Sequence, residues 1–137
     1  MAIAYVWRGE FAAQELAALH AEAFGADGGG QTPDWWAKVN AHSLGWVVGR
    51  DGAALAGFVN VAWDGGEHAF ILDTMVAAPY RRAGAGARLV ARAAEATRAA
   101  GCRWLHVDFE PHLERFYLEA CGFTPTPAGV ISLLGLP

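Results

Sequence analysis

The sequence predicts one α/β (α+β) domain over residues 1–137, built on a central mixed, mostly antiparallel sheet with helices on both faces. Three observations predict it. Asp51-Gly52 sits between two strand-like runs, Trp46 to Arg50 and Leu55 to Trp63, which is a hairpin signal. A strand–helix–strand unit over residues 68–109 calls for a parallel pair joined by a right-handed crossover. With 137 residues and 54% hydrophobic content, the chain can bury the core of one domain without a metal or disulfide staple, and leaves little room for a second.

The elements follow in order. Ile3 to Trp7 reads as a first strand. Glu10 to Phe24 carries Phe11, Leu16, Leu19 and Ala23 at helical spacing. Gly25 to Gly30 is a loop, and Thr32-Pro33-Asp34 opens a short second helix with Thr32 as N-cap and Pro33 in the first turn. Trp35 and Trp36 lie on that helix. After the hairpin, Asp64-Gly65-Gly66 turns the chain into a strand from His68 to Ala77. The next helix runs from about Gly84 to Ala100, with Leu89, Ala93, Ala96 and Ala100 on one face and Arg88 and Arg92 on another. Gly101 stops it. Trp104 to Phe109 is a strand, Pro111 starts a helix that Gly122 ends, and Val130 to Leu134 is a last strand. No internal repeat or low-complexity linker interrupts the pattern.

Composition narrows the function classes. Charged residues make up only 18% of the chain, which argues against disorder. The high apolar share implies that a ligand or a second subunit, as in a homodimer, covers part of the surface. Cys102 and Cys121 have neither metal nor redox spacing and read as small core residues of a reduced compartment. His20, His42, His68 and His112 show no metal-ligand spacing, so no metal is expected. Without a charged-then-apolar leader or an apolar run of about 18 residues, the expectation is a soluble, cytoplasmic protein with no membrane partner. A net charge of −4 disfavours a general nucleic-acid binder. Yet residues 81–103 hold Arg81, Arg82, Arg88, Arg92, Arg98 and Arg103 against the single acid Glu95, a local excess of six minus one, or +5. Such a patch attracts a polyanion of limited size. The plainer account is a solvated helix face on which Glu95 pairs with Arg92 and Arg98.

A strand that runs into Gly-x-Gly and then into a helix builds an anion site. The first helical turn leaves backbone N–H groups unpaired, the helix dipole adds partial positive charge, and glycine lets phosphate approach the backbone. A dinucleotide fingerprint needs a third glycine at position 89, where this chain has Leu89, and a P-loop needs Gly-Lys-Ser/Thr, which is absent. What remains is Arg/Gln-x-x-Gly-x-Gly/Ala, met as Arg81-Arg82-Ala83-Gly84-Ala85-Gly86.

This segment, preceded by Ile71-Leu72-Asp73-Thr74-Met75-Val76-Ala77-Ala78-Pro79-Tyr80 and followed by Phe116-Tyr117-Leu118-Glu119-Ala120-Cys121-Gly122-Phe123, resembles the GNAT superfamily of N-acetyltransferases. The likeness covers residues 68–124, and the two motifs together, in order, are far more specific than either alone. The resemblance implies a sheet splayed between two parallel strands. It implies CoA pyrophosphate on the backbone of Arg82, Ala83, Gly84, Ala85, Gly86 and Ala87, with Arg81 at the Gln/Arg position. It implies pantetheine beside Met75 and Val76, and an oxyanion donor among the amides of Thr74 to Val76. Tyr117 is then the candidate acid for the leaving thiolate. Many members have four steps from that tyrosine to the glycine. Here Tyr117 to Gly122 is five, so either the helix carries an extra residue or Tyr117 points elsewhere. Glu110 stands where many members have asparagine.

Acyl transfer to an amine also needs a route for the amine proton. Some members use a glutamate on the strand before the glycine segment, and that position here is Phe70. The remaining candidates are Asp108 and Glu110, then Asp73, then His106, which shares a strand face with Asp108. Each reads equally as a solvated or structural residue. Trp35, Trp36 and Trp63 either line an acceptor pocket or belong to the core. If they line one, the acceptor is amphipathic or aromatic. The expectation is therefore acetyl-CoA-dependent N-acetylation of a small amine or a peptide N-terminus by direct aminolysis. Cys121 is a poor candidate for an acyl-carrying nucleophile. The rival reading is a CoA-binding regulatory module without catalysis, and a nicotinamide-dinucleotide protein is disfavoured by Leu89.

Overall fold

The chain begins with β1 (Ala4–Trp7), passes through α1 (Ala13–Phe24) and α2 (Trp35–His42), and lays down β2 (Ser43–Asp51), β3 (Ala54–Trp63) and β4 (His68–Val76). Then come α3 (Ala85–Ala99) and β5 (Trp104–Val107). A 3-10 turn, Pro111–Leu113, and a six-residue π-helix, Arg115–Ala120, follow. The computed structural model describes residues 2–25 and 33–135. All of the expected loop Gly25 to Gly30 beyond Gly25, and the expected cap at Thr32, fall outside the described residues. The cap of α2 is Asp34, whose Oδ1 accepts from the Ala37 amide at 3.1 Å, as a carboxylate before a first turn should. No helix among the described residues is long and apolar enough to cross a membrane.

The strands form one five-stranded sheet in the order β1-β2-β3-β4-β5. Every neighbouring pair is antiparallel except β4 and β5, which run parallel through the α3 crossover. β2 and β3 are apolar along nearly their whole length because both of their faces are covered. On one face Leu16 and Leu19 of α1 and Trp35 and Val39 of α2 pack on Trp46, Val48, Phe58 and Met75. On the other, Leu89 and Ala93 of α3 pack on Val47, Val59, Val61, Ala69 and Ile71. Each such large side chain contributes about 1.5–3 kcal/mol on burial. α3 sits close on β3 because Gly57 has no side chain: a Cβ there would stand 2.7 Å from the Leu89 side chain.

An ion pair ties α1 to the hairpin. Arg50 Nη2 donates to Glu15 Oε2 at 2.7 Å, and Nη1 donates to Glu15 Oε1. The Arg50 hydrogen bond holds the Glu15 carboxyl below the usual carboxylate range, against a smaller opposing effect of burial.

Two expectations need correction. Val130 to Leu134 forms no strand; Val130, Ile131, Leu133 and Leu134 are 76–92% exposed. A strand exists only through a ladder partner, and Pro125 and Pro127 ahead of this run have no N–H to start one. The helix expected from Pro111 to Gly122 is a 3-10 turn followed by a π-helix.

Candidate active site

β4 carries a bulge at its centre. Phe58 pairs with Met75 and Asn60 with Leu72, so two steps on β3 face three on β4. The extra residue is accommodated at Asp73, whose φ is +56°. A bulge re-aims side chains that simple alternation would send to opposite faces. Asp73 Oδ2 accepts from Asn60 Nδ2 at 3.3 Å, and Asn60 Oδ1 accepts from Ser43 Oγ at 2.5 Å. Asn60 is only 3% exposed and is the Cα partner of Trp46, which turns the Asp73 carboxylate toward the α1/α2 face. Thr74, the next residue, makes its contact on the α3 face. Beside this bulge the sheet opens. β4 and β5 pair only from His68–Trp104 to Ile71–Val107, while β4 continues to Val76. The β5-side edge of residues 72–76 therefore has no strand partner among the described residues.

Tyr117 stands at this opening. Its Oη donates to Thr74 Oγ1 at 3.3 Å, and the residue is 6% exposed. Its ring stacks on Phe109 (5.2 Å between centroids, 24°) and meets Phe116 and Phe123 edge-on. Burial raises the phenol above its ordinary value, with the Thr74 hydrogen bond pulling the other way. The π-helix resolves the five-step spacing to Gly122. Cys121 N donates to Phe116 O, five residues back, so the helix carries the extra residue as a π turn.

α3 starts at the same mouth. Gly84, its N-cap, has φ +80° and no capping side chain, so the first-turn amides have no helical acceptor. Gly86 faces Phe116: a Cβ would lie 2.9 Å from that ring. The loop before the helix is anchored to α1, where Glu22 Oε1 accepts from the Ala78 amide at 2.7 Å and lies 3.7 Å from Arg81 Nη2. Arg81 also folds back, Nε donating to Val76 O at 3.0 Å. Arg82 holds φ +67° and is exposed. The alternative account of the patch, Glu95 paired with Arg92 and Arg98, does not hold: among the described residues, ion pairs join Arg50–Glu15, Arg81–Glu22, Arg103–Glu67 and Arg115–Glu119. The cradle of bare amides, the left-handed Gly84 and the open strand edge fits a long ligand that carries a diphosphate at one end.

The structure thus brings together Asp73, Thr74, Met75, Val76, Tyr117 and the Arg82–Ala87 turn. Asp108 and Glu110, beyond the end of β5, are exposed. His106 is engaged with His68, their ring nitrogens 2.8 Å apart. Trp35 is core, Trp36 packs edge-on against Phe11 and Trp46, and Trp63 sits at the far end of β3. The three tryptophans build no common pocket. Burial pushes the Cys121 thiol up to about 11, which leaves it protonated and unreactive near neutrality. Asn60, Ser43 and Glu22 were missed from sequence. A polar Asn inside Phe58-Val59-Asn60-Val61 was the available signal.

The acetyltransferase (GNAT) family matches residues 10–123. No curated protein matches the sequence. An acetyltransferase from Trypanosoma brucei superposes with a TM-score of 0.78 at 18% identity, covering 97% of this chain and 100% of the other. A glucosamine-6-phosphate N-acetyltransferase from Arabidopsis thaliana gives 0.75 at 15% identity, covering 96% and 99%. The enzyme AAC(6')-Iy, in complex with a CoA-derived bisubstrate analogue of acetylneamine, gives 0.77 at 15% identity, covering 96% and 97%. At these identities the likeness is one of fold.

Proposed function

The chain belongs to the acetyltransferase (GNAT) family, and from that premise we propose that it transfers an acetyl group from acetyl-CoA to a primary amine by direct aminolysis. The observation that carries this reading is the convergence on one opening of the bulged β4, the buried Tyr117 hydroxyl and the uncapped start of α3. Acetyl-CoA supplies an activated acetyl group as a thioester. The amides of Arg82 to Ala87 hold its diphosphate, and those of Met75 and Val76 face its pantetheine arm. An amide between Thr74 and Val76 stabilises the negative charge that develops on the carbonyl oxygen. As the new C–N bond forms and the C–S bond breaks, Tyr117 donates its proton to the departing sulfur. Its raised pKa keeps that proton in place at neutral pH. Asp73, on the α1/α2 side, attracts the acceptor ammonium and helps carry off its proton, with Asp108 and Glu110 as further exits at the rim. A half-buried, protonated Cys121 favours direct transfer over an acyl-enzyme.

Phe70 in place of a strand glutamate favours the second reading, a CoA-binding module without chemistry. Thiol release from acetyl-CoA over a panel of amines separates the two. Amine-dependent release that falls in Tyr117→Phe, with CoA affinity kept, is the expected result. CoA binding without release for any amine is the result that favours the module.

A further inference from the structure

The α1/α2 face of the sheet is not covered evenly. Helices shield it over the middle strands and over Met75 at the end of β4, but over the His68–Leu72 stretch of β4 and over β5 it lies bare. Leu72, Phe70 and His68 alternate along β4 onto this face, since Leu72 pairs with Asn60 and Phe70 with Ala62. His106 lies beside Phe70 in the parallel register. The rings make a continuous platform: Phe70 stacks on His106 at 4.8 Å and 18°, and His68 on His106 at 5.1 Å and 29°. Leu72 is 46% and Phe70 41% exposed. Asp73 adjoins this platform, and its carboxylate is turned to the same face and held by Asn60, itself held by Ser43.

We propose that this platform is the acceptor subsite, and that the acceptor is a primary amine carrying an aromatic ring, its ammonium on Asp73 and its ring over Leu72 and Phe70. The assignment rests on the acetyl-transfer reading and narrows it to a substrate class. Alternate residues on a strand are roughly 7 Å apart, so an amine separated from a ring by a two- or three-carbon chain spans Asp73 to the platform. Aromatic rings favour stacked or edge-on contact with Phe70 and His106. A polyhydroxylated amino sugar is disfavoured, because Leu72 and Phe70 offer its hydroxyl groups no hydrogen-bond partner. A polyamine would gain from Asp73 but leave the platform unused.

The test uses the full chain saturated with CoA for calorimetric binding, and with acetyl-CoA for thiol release. The probes are 2-phenylethylamine, n-propylamine and glucosamine. The expected result is that 2-phenylethylamine binds roughly tenfold more tightly than n-propylamine, the scale of one good apolar contact. Phe70→Glu, a change at a half-exposed position, should erase that preference while leaving CoA affinity and melting temperature in place. Equal binding of the three amines, or a ring preference that survives Phe70→Glu, overturns the assignment. A dimer that buries this face and binds none of the amines overturns it as well. Ring-selective binding without thiol release supports the subsite and instead removes the catalytic reading.

Discussion

Tyr117 and Asp73 sit on opposite sides of a single bulge; in the proposed reaction one gives a proton and the other receives an ammonium group. Tyr117→Phe keeps the stacked ring but removes the acid. kcat should fall about 100-fold, the lower range for a general acid, with CoA affinity unchanged by calorimetry. Because burial raises the phenol, the acid form persists through neutral pH and is lost only as pH climbs above the ordinary tyrosine value of about 10. The alkaline limb of kcat should therefore lie above that pH, and should vanish in Tyr117→Phe. Cys121→Ala, in contrast, should retain nearly full turnover, since the half-buried thiol stays protonated. A collapse of activity in that variant, with its melting temperature intact, would restore the acyl-enzyme route. The bulge itself was not legible in the sequence. Nothing in Ile71-Leu72-Asp73-Thr74-Met75-Val76 marks an extra residue, because no glycine advertises the positive φ that Asp73 adopts. Simple strand alternation sends Asp73 and Thr74 to opposite faces, which is where their contacts lie, but gives no reason for the fixed carboxylate.

At the scale of elements, local signals carried well and pairing signals did not. The Asp51-Gly52 turn, the glycine opening of α3 and the stripe of α1 are written in short stretches, so the hairpin and both of those helices stand close to where the sequence predicts them. The segment after Pro111 was harder: a 3.6-residue period cannot anticipate a π-helix, and the spacing of Tyr117 to Gly122 therefore had two solutions. Trp35 could be core or pocket on periodicity alone; only tertiary packing decides, and it made Trp35 core. Two predictions belong here. Gly86→Val drives a side chain into Phe116 at the mouth of α3. CoA affinity should drop about tenfold or more, as expected when charge-assisted hydrogen bonds are disturbed, and unchanged affinity would move the diphosphate elsewhere. Glu15→Gln should cost about 1 kcal/mol through the half-buried Arg50 pair, or about 3–5 °C in Tm. The folded pKa of Glu15 is depressed, so its contribution is present above the unfolded value of about 4.3 and disappears as pH falls through the folded one. The Tm gap between the two proteins should close under acid conditions.

For the molecule as a whole, the proposed CoA site draws on an uneven distribution of charge. The net charge is −4, yet Arg82, Arg88, Arg92 and Arg98 on or before α3 pair with no carboxylate among the described residues. CoA affinity should accordingly weaken as salt rises, since exposed charges are screened within about 10 Å at 0.1 M. The fold supplies the rest of the fit by ending the β4–β5 ladder at Ile71–Val107 while β4 runs on to Val76. The central claim is that the uncapped start of α3 and the open edge of β4 hold one CoA molecule between them. Backbone amide NMR of the full chain titrated with CoA tests it most directly. The account predicts the largest shift changes at Arg82 to Ala87 and at Thr74 to Val76. Changes confined to other surfaces, with these amides unmoved at saturation, would contradict it.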